Sequence, residues 1–180
     1  MSSVEIKKAL NQIAAEIKRK NRKIEDLVFI GIKRRGTTLA QRLAKIITKT
    51  KGSIPVGAID ITLYRDDLQL IAETPIVRGS EISFDINEKI VILVDDVLFT
   101  GRTVRAALTE ILDFGRPRAI QLAVLVDRGH RELPIAADYI GKRIKTAKKD
   151  LVDILVQEEN GKEGVFVSQP KRANDSGQIK

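Results

Sequence analysis

The chain has 180 residues, enough for one domain with a substantial core, and its 43% hydrophobic and 31% charged residues are typical of a folded globular protein. The absence of cysteine and the single histidine exclude disulfides, thiolate chemistry and histidine-rich metal sites. No apolar stretch has the length of a membrane span, and the first residues lack the apolar centre of a signal peptide, so we expect a cytoplasmic protein.

The formal net charge of +8 is concentrated at one end of the chain. The first 51 residues hold 14 Lys and Arg against 4 Asp and Glu. Nucleic acid or a polyphosphate ligand would each explain this basic excess. A solvated, lysine-rich surface is the alternative interpretation.

The first third of the chain predicts a helix, a strand and a second helix. Ser2 and Glu5 have the spacing of a capping box, which marks a helix start. The apolar residues after them recur with helical spacing, at Ile6, Leu10, Ile13 and Ile17. Leu27–Ile32 predicts a strand, and Thr37 could cap a helix with an apolar face formed by Leu39, Leu43 and Ile47.

The rest of the chain predicts more strands, separated by a loop and one further helix. Residues 65–87 contain charges, a proline and a glycine, and predict a long loop or a mobile hairpin. The predicted strands are Ile54–Ile61, the apolar run from Val91, Ala119–Val126, Tyr139–Gly141, Leu151–Val156 and Val165–Ser168. We expect an α/β fold with a mostly parallel sheet, one domain over residues 1–168, and a polar tail over residues 169–180.

The most informative stretch is Val91–Thr103. A run of mostly β-branched residues predicts a strand buried on both faces, and it ends in the carboxylates Asp95 and Asp96. After a Thr-Gly-Arg-Thr turn the apolar spacing becomes helical, and Gly115 and Pro117 stop that helix. A strand-to-helix turn presents N–H groups and the helix dipole to a phosphate.

The two carboxylates next to that turn have their own chemistry. They can accept hydrogen bonds from vicinal hydroxyls or bind Mg²⁺, so a sugar phosphate would satisfy both the acids and the turn. The alternative is a plain helix cap beside a strand-end acidic pair. That alternative is costly, because two adjacent acids at a buried strand end need a partner.

Four strand ends carry polar groups. Because ligands of parallel sheets bind at the carboxyl ends of the strands, we expect these groups to converge. They are Lys33–Gly36, Asp60, the pair Asp95 and Asp96, and the pair Asp127 and Arg128. The basic turn could hold a pyrophosphate leaving group, and a solvated basic loop is its alternative.

Two more segments have a functional and an ordinary interpretation. Tyr64 and Arg65 could fold over a substrate as a lid, or belong to a sheet-edge hairpin with ordinary salt bridges. His130 is the only histidine, and nothing in the sequence pairs it with a nucleophile. It is either structural or a contact to a base, RNA or a neighbouring subunit.

These residues resemble the type I phosphoribosyltransferases. Val91–Thr103 is similar to the thirteen-residue phosphoribosyl pyrophosphate motif of that family, with the strand, the acidic pair and the loop intact. Asp60–Leu68 and Gln121–Ile135 are similar to a bacterial branch of the family that regulates pyrimidine operons, and Gly115–Pro117 also fits. The resemblance covers the chain from about Val4 to Val156.

The resemblance implies two activities. Proteins of this branch bind pyrimidine operon leader mRNA when loaded with uridine nucleotide, and thereby promote attenuation. They also convert uracil and phosphoribosyl pyrophosphate to UMP and pyrophosphate, with Mg²⁺. It further implies a homo-oligomer and a parallel sheet with a small hood and a flexible loop. The alternatives are a nucleotide sensor without catalysis, a transferase whose RNA binding is weakened or lost, and a transferase for another base.

The resemblance also implies roles for individual residues. Asp95 and Asp96 would bind the ribose hydroxyls, and together with Lys33 and Arg35 they would form the catalytic set. The pyrophosphate would lie on Lys33, Arg34, Arg35 and Gly36. The 5′-phosphate would lie in the segment Val97, Leu98, Phe99, Thr100, Gly101, Arg102 and Thr103, and Val94 would also belong to the substrate-binding residues. Arg128 and the region of Val152 would border the uracil.

The RNA face implied by the resemblance consists of Asn11, Lys20, Arg131 and Lys142. Here the chain departs from the family pattern. Asn11 and Ala15 stand where the family usually has Thr and His, and Ala136 stands where it usually has Arg. Residues 145–149 also replace a usual Pro-Thr-Ser segment. We therefore expect weaker RNA discrimination than in the relatives, while the nucleotide site is intact.

Overall fold

The computed structural model describes residues 1–48, 52–61 and 79–169. Five parallel strands form the central sheet: β1 (Leu27–Ile32), β2 (Val56–Ile59), β3 (Ile90–Leu98), β4 (Ala119–Asp127) and β5 (Tyr139–Arg143). Their order across the sheet is β2-β1-β3-β4-β5. Three longer helices flank it: α1 (Ser3–Lys20), α2 (Arg35–Thr48) and α3 (Arg102–Phe114). The predicted α/β fold with a parallel sheet is confirmed.

A smaller unit follows β5. The antiparallel strands β6 (Leu151–Leu155) and β7 (Gly164–Ser168) form a separate two-stranded sheet, joined through the short helix α4 (Gln157–Asn160). We call this β6–α4–β7 unit the hood. Its buried residues Ile154 and Val165 belong to the same core cluster as α1 and α2, so the hood lies against that side of the molecule.

The core has two halves, one on each face of the sheet. On one face, α1 and α2 pack against Phe29 and Ile92. On the other face, α3 packs against Ile30 and Leu93. Successive side chains of β1 and β3 therefore point to opposite halves, which explains why both strands are apolar without interruption.

Local sequence signals explain how α1 and α3 begin. The Ser2 hydroxyl accepts a hydrogen bond from the Glu5 backbone N–H, and the Glu5 carboxylate accepts one from the Ser2 backbone N–H, so the predicted capping box is confirmed. Helix α3 starts after Gly101, whose φ of +95° is a left-handed conformation that favours glycine. None of the helices in the described ranges combines the length and the hydropathy that crossing a membrane requires.

Several predicted boundaries differ from the structure. Helix α2 begins at Arg35, so the prediction that Thr37 caps it is wrong, and the Thr37 hydroxyl donates to the Gly31 carbonyl instead. Strand β3 continues through the acidic pair to Leu98, because Asp95 and the residues after it still pair with β4. Strand β2 is shorter than predicted, and β5 is longer.

Part of the predicted lid lies outside the described residues. These are residues 62–78, which include Tyr64 and Arg65. The chain after them returns to the sheet edge, where Glu81 forms an antiparallel bridge with Ala58 of β2. The predicted tail lies outside the description from residue 170 onward, so its boundary stays a prediction.

Candidate active site

A cavity of about 590 Å³ opens at the carboxyl edge of the sheet. It lies between the ends of β1 and β3, the first turn of α2 and the hood helix α4. Its polar lining brings together residues from separate predicted segments: Lys33, Arg34, Arg35, Gly36, Asp95, Asp96, Thr103, Glu159 and Asn160. The predicted convergence is confirmed for the basic turn, the acidic pair and Thr103 at the end of the predicted phosphate loop. Asp60, Asp127 and Arg128, which were predicted to join them, are not among the lining residues.

The basic turn lies against β3 because glycines allow close backbone contact. A Cβ on Gly36 would lie 2.5 Å from the Val94 carbonyl oxygen, and one on Gly31 would lie 2.3 Å from the Thr37 Cα. Both distances are shorter than the non-bonded contacts that Cβ atoms make in proteins, so a residue with a side chain would not fit at either position. The first turn of α2 can therefore press its N–H groups and its cations against the strand end that carries the acids.

The acidic pair is asymmetric. Asp95 is buried, and its carboxylate accepts the backbone N–H of Asp96 at 2.9 Å. Burial, followed by the negative charge of Asp96, raises the pKa of Asp95 well above its ordinary value. Asp96 is partly exposed to the cavity, and its carboxylate accepts the backbone N–H of Val97 at 2.8 Å. A ligand with hydroxyl donors would stabilise both carboxylates.

Two cations of the basic turn are paired with carboxylates. Arg35 Nη1 lies 3.4 Å from an Asp96 carboxylate oxygen. Lys33 Nζ lies 2.9 Å from the carboxylate of Glu81, the residue that bridges to Ala58 of β2. Arg34 is exposed at the rim. Because these pairs are partly solvated, an anionic ligand can replace their carboxylate partners at small cost.

The predicted phosphate loop is held by contacts to its carbonyl groups. The Thr100 carbonyl accepts from the backbone N–H groups of Glu132 and Leu133, at 2.9 and 3.1 Å. The Arg102 Nε donates to Glu132 at 3.0 Å. The Thr100 carbonyl is therefore already hydrogen-bonded within the protein. The loop leads into the first turn of α3, whose backbone N–H groups have no partner within the helix and can bind an anion.

Arg131 lies under this loop, with its guanidinium directed into the protein. It donates to the carbonyls of Phe99, Gly129 and Ile135 at 2.8 to 3.0 Å, and to the Asp127 carboxylate at 2.6 Å. The resemblance implies that Arg131 belongs to an RNA face. In the structure it supports the phosphate loop, with most of its N–H groups used inside the chain.

Arg128 and Val152, the two residues predicted to border the base, do not line the cavity that contains Asp95 and Asp96. Arg128 is buried, donates to Thr146 and to the Ala147 carbonyl, and stacks over the Phe99 ring at 4.1 Å from its centroid. It lines a neighbouring cavity of about 600 Å³ with His130. Val152 is half-buried and packs against the core from β6.

The hood contributes residues that the sequence did not indicate. Glu159 and Asn160 of α4 line the cavity, and the Thr38 hydroxyl of α2 donates to Glu159 at 3.0 Å. Helix α4 has only four residues, so it has no periodicity from which it could be predicted.

The other residues predicted to bind RNA lie on α1 and β5, which pack together. Lys20 Nζ is 2.6 Å from Asp138 and 5.4 Å from the centre of the Tyr139 ring. Lys142 Nζ is 2.9 Å from Glu5, and Asn11 donates to the Lys7 carbonyl. Both lysines are about half exposed, so this surface remains open to an anionic partner.

Comparisons with known proteins show the family of the chain. Residues 2–159 match the family model described as "Phosphoribosyl transferase domain". The chain is 51% identical over 173 residues to the "Bifunctional protein PyrR" of Caldicellulosiruptor bescii, covering 96% of this chain and 95% of the relative. It is 53% identical over 172 residues to the protein of the same name in Deinococcus radiodurans, covering 95% and 94%.

Solved structures support the fold. A hypoxanthine phosphoribosyltransferase from Trypanosoma cruzi has a TM-score of 0.73 at 20% identity, covering 94% of each chain. One from Staphylococcus aureus has a TM-score of 0.71 at 20% identity, covering 97% of this chain and 92% of that one. The sequence match spans almost the whole chain and the fold agrees, so the chain belongs to the phosphoribosyltransferase family and, within it, to the group of bifunctional PyrR proteins.

Proposed function

We propose that the protein converts uracil and phosphoribosyl pyrophosphate to UMP and pyrophosphate, and that it also binds pyrimidine operon leader mRNA under control of uridine nucleotide. The observation that carries the enzymatic part is one cavity that holds an acidic pair, a cationic helix start and the end of a phosphate loop. These groups suit the ribose, the pyrophosphate and the 5′-phosphate of one substrate. The family membership supports both parts.

The reaction needs positioned groups rather than a covalent nucleophile. The bond from the ribose C1 to the pyrophosphate oxygen breaks, a ring nitrogen of uracil bonds to C1, and that nitrogen loses its proton. Positive charge develops on the sugar, and negative charge on the leaving pyrophosphate. The carboxylates of Asp95 and Asp96 accept the ribose hydroxyls and offset the positive charge, while Lys33, Arg34 and Arg35 stabilise the leaving group.

The donor set fits Mg²⁺ carried by the substrate. Within the part of the chain that the structure describes, no three acidic or histidine side chains come together as a metal site. Mg²⁺ commonly binds through one or two carboxylates together with substrate phosphates, and Asp95 and Asp96 are suited to that role. When bound, it neutralises pyrophosphate oxygens.

The regulatory part rests on charge. Exposed lysines and arginines follow the outer face of α1 and continue to Lys142 on β5, and phosphate contacts supply a large share of the affinity of nucleic-acid-binding proteins. We propose leader mRNA as the partner of this surface and a homo-oligomer as the active form. The second candidate is a transferase with weakened RNA binding, favoured by the inward direction of Arg131 and by Asn11, Ala15 and Ala136.

One pair of measurements tests both parts. UMP formation is assayed with uracil, phosphoribosyl pyrophosphate and Mg²⁺, with hypoxanthine as the competing base. Binding is titrated against pyrimidine leader RNA and a scrambled RNA, each with and without UMP. We expect transfer to uracil and RNA binding that UMP tightens. Transfer without any RNA binding would leave the second candidate, and no transfer would overturn the enzymatic part.

A further inference from the structure

The hood is attached to the helix whose first turn forms the basic side of the cavity. Thr38 and Arg42 are one turn apart on α2, so their side chains lie on the same face of that helix. The Thr38 hydroxyl donates to Glu159, and Arg42 Nε donates to Glu158 at 2.9 Å. Arg42 Nη2 also donates to Glu158, so the guanidinium holds this carboxylate through two hydrogen bonds.

Arg42 binds a second hood carboxylate as well. Its Nη1 donates to Glu163, which also accepts from the Ser3 hydroxyl at the start of α1. The side chains of Arg42 and Glu163 are 22% and 11% exposed, so their ion pair is shielded from water more than an ordinary surface pair. Bidentate guanidinium–carboxylate pairs fix geometry as well as charge. Arg42 therefore connects both ends of the α4 turn to α2.

The walls of the cavity indicate what this connection does. The basic turn, the acidic pair and the phosphate loop account for the pyrophosphate, the ribose and the 5′-phosphate. Among the residues that the structure describes, the remaining polar wall is α4, through Glu159 and Asn160. The base that replaces pyrophosphate must enter this same cavity, and its approach to C1 depends on where that wall stands.

We propose that Arg42 is a positioning residue: by holding Glu158 and Glu163 it sets the distance between α4 and the first turn of α2, and so the fit of the acceptor base. This inference rests on the proposed transfer to uracil. Arg42 does not touch the substrates. Its loss should widen the α4 side of the cavity and leave the groups that bind phosphoribosyl pyrophosphate in place, because those groups lie on the sheet, at the start of α2 and at the start of α3.

The variants are Arg42→Met, Arg42→Lys and Glu158→Gln, and the control is Arg118→Ala. Arg118 forms an ion pair of 2.7 Å with Asp26, away from the cavity residues. For Arg42→Met we expect kcat/KM for uracil to fall roughly tenfold or more, in keeping with the loss of charged hydrogen bonds. The KM for phosphoribosyl pyrophosphate should change less than about threefold. Lysine should restore part of the loss, and Arg118→Ala should change neither constant.

Hydrogen exchange gives a readout that does not depend on activity. Arg42→Met should speed exchange of the backbone amides in α4 and leave those of β3 unchanged. If exchange in α4 does not change, or if both substrates lose affinity equally, the proposal is overturned. If Arg42→Met does not fold, Glu158→Gln and Arg42→Lys give the same two readouts. A wild-type protein that makes no UMP would overturn the transfer to uracil instead, and the exchange result would still decide whether Arg42 holds the hood.

Discussion

Arg35 Nη1 lies 3.4 Å from the carboxylate of Asp96, so the cation expected to hold pyrophosphate is paired with an acid expected to hold ribose. The two side chains come from different elements, the first turn of α2 and the end of β3. Their pairing keeps opposite charges balanced at the cavity. A substrate with both phosphates and hydroxyls offers each of them a new partner, so it can replace the pair without leaving a charge unpaired.

This relationship predicts different effects of Arg35→Ala on the two nucleotides. UMP has no pyrophosphate, so the variant should lower turnover with phosphoribosyl pyrophosphate far more than it weakens UMP binding. Loss of one charge-assisted contact should cost about 1.5–3 kcal/mol in transition-state stabilisation. Steady-state kinetics and a calorimetric UMP titration measure the two effects, with Arg118→Ala as the control. Equal losses in turnover and UMP affinity would place Arg35 elsewhere in the mechanism.

The acidic pair predicts a loss of transfer without loss of fold. Replacing Asp95 and Asp96 together by asparagine keeps the oxygen acceptors for the backbone N–H groups of Asp96 and Val97. It removes the negative charge that offsets the developing positive charge on the ribose. We expect no measurable UMP formation together with an unchanged circular dichroism spectrum. Turnover near that of the wild type would refute the assignment of both residues.

The single change Asp95→Asn should stabilise the free protein at neutral pH. Burial and the charge of Asp96 raise the pKa of Asp95 in the folded state, so the folded protein holds this proton more tightly than the unfolded chain. The wild type therefore loses stability as pH rises from the ordinary pKa of an aspartate through the raised one. Each unit of that elevation corresponds to about 1.4 kcal/mol.

Asparagine does not titrate, so this loss is absent in the variant. The difference in the free energy of unfolding should be largest above the raised pKa and should vanish below about pH 4, where both proteins are neutral at this position. Urea unfolding at a series of pH values measures it. A variant that is less stable than the wild type at pH 7 would show that Asp95 is not held at an energetic cost.

The parts of this site that the sequence predicted are those encoded by continuous segments. Val91–Thr103 contains a strand, two acids and a helix start in one run, so periodicity and turn residues suffice to place it. The contribution of Glu159 depends on contacts with α2, more than a hundred residues away along the chain. No local pattern carries such a contact.

Arg131 shows a different limit of the sequence. It belongs to the polar run Asp127–Pro134, where a cation directed to solvent and one directed inward look the same. Two of the carbonyls that it binds, those of Leu98 and Phe99, come from the end of β3 and the turn after it, and only the fold brings them within reach. The sequence therefore indicates a cation at this position, but it does not indicate whether the side chain points to solvent or into the protein.

The last prediction concerns RNA binding, and it separates the cations directed to solvent from Arg131, which is directed inward. Lys20 and Lys142 are about half exposed and paired with Asp138 and Glu5, so phosphates can replace those carboxylates. RNA affinity should fall steeply with salt. Replacing either lysine by glutamine should flatten the dependence of log K on log salt concentration by about one unit for each lost contact. Lys162→Gln, on the exposed turn of the hood, is the control and should leave the slope unchanged.

Arg131→Gln should behave differently from the two lysines. Its guanidinium donates to protein carbonyls and to Asp127, so the variant should change the salt slope less than Lys20→Gln does. By linkage, UMP should tighten RNA binding by the factor by which RNA tightens UMP binding. Filter binding over a range of salt concentrations, with and without UMP, measures the RNA affinity, its salt slope and the factor by which UMP tightens it. A UMP titration with and without RNA measures the reciprocal factor. Salt-insensitive binding would refute the phosphate contacts of this surface. No binding at low salt with UMP present would leave the protein an enzyme only, and the basic excess of its first 51 residues would then belong to a solvated surface.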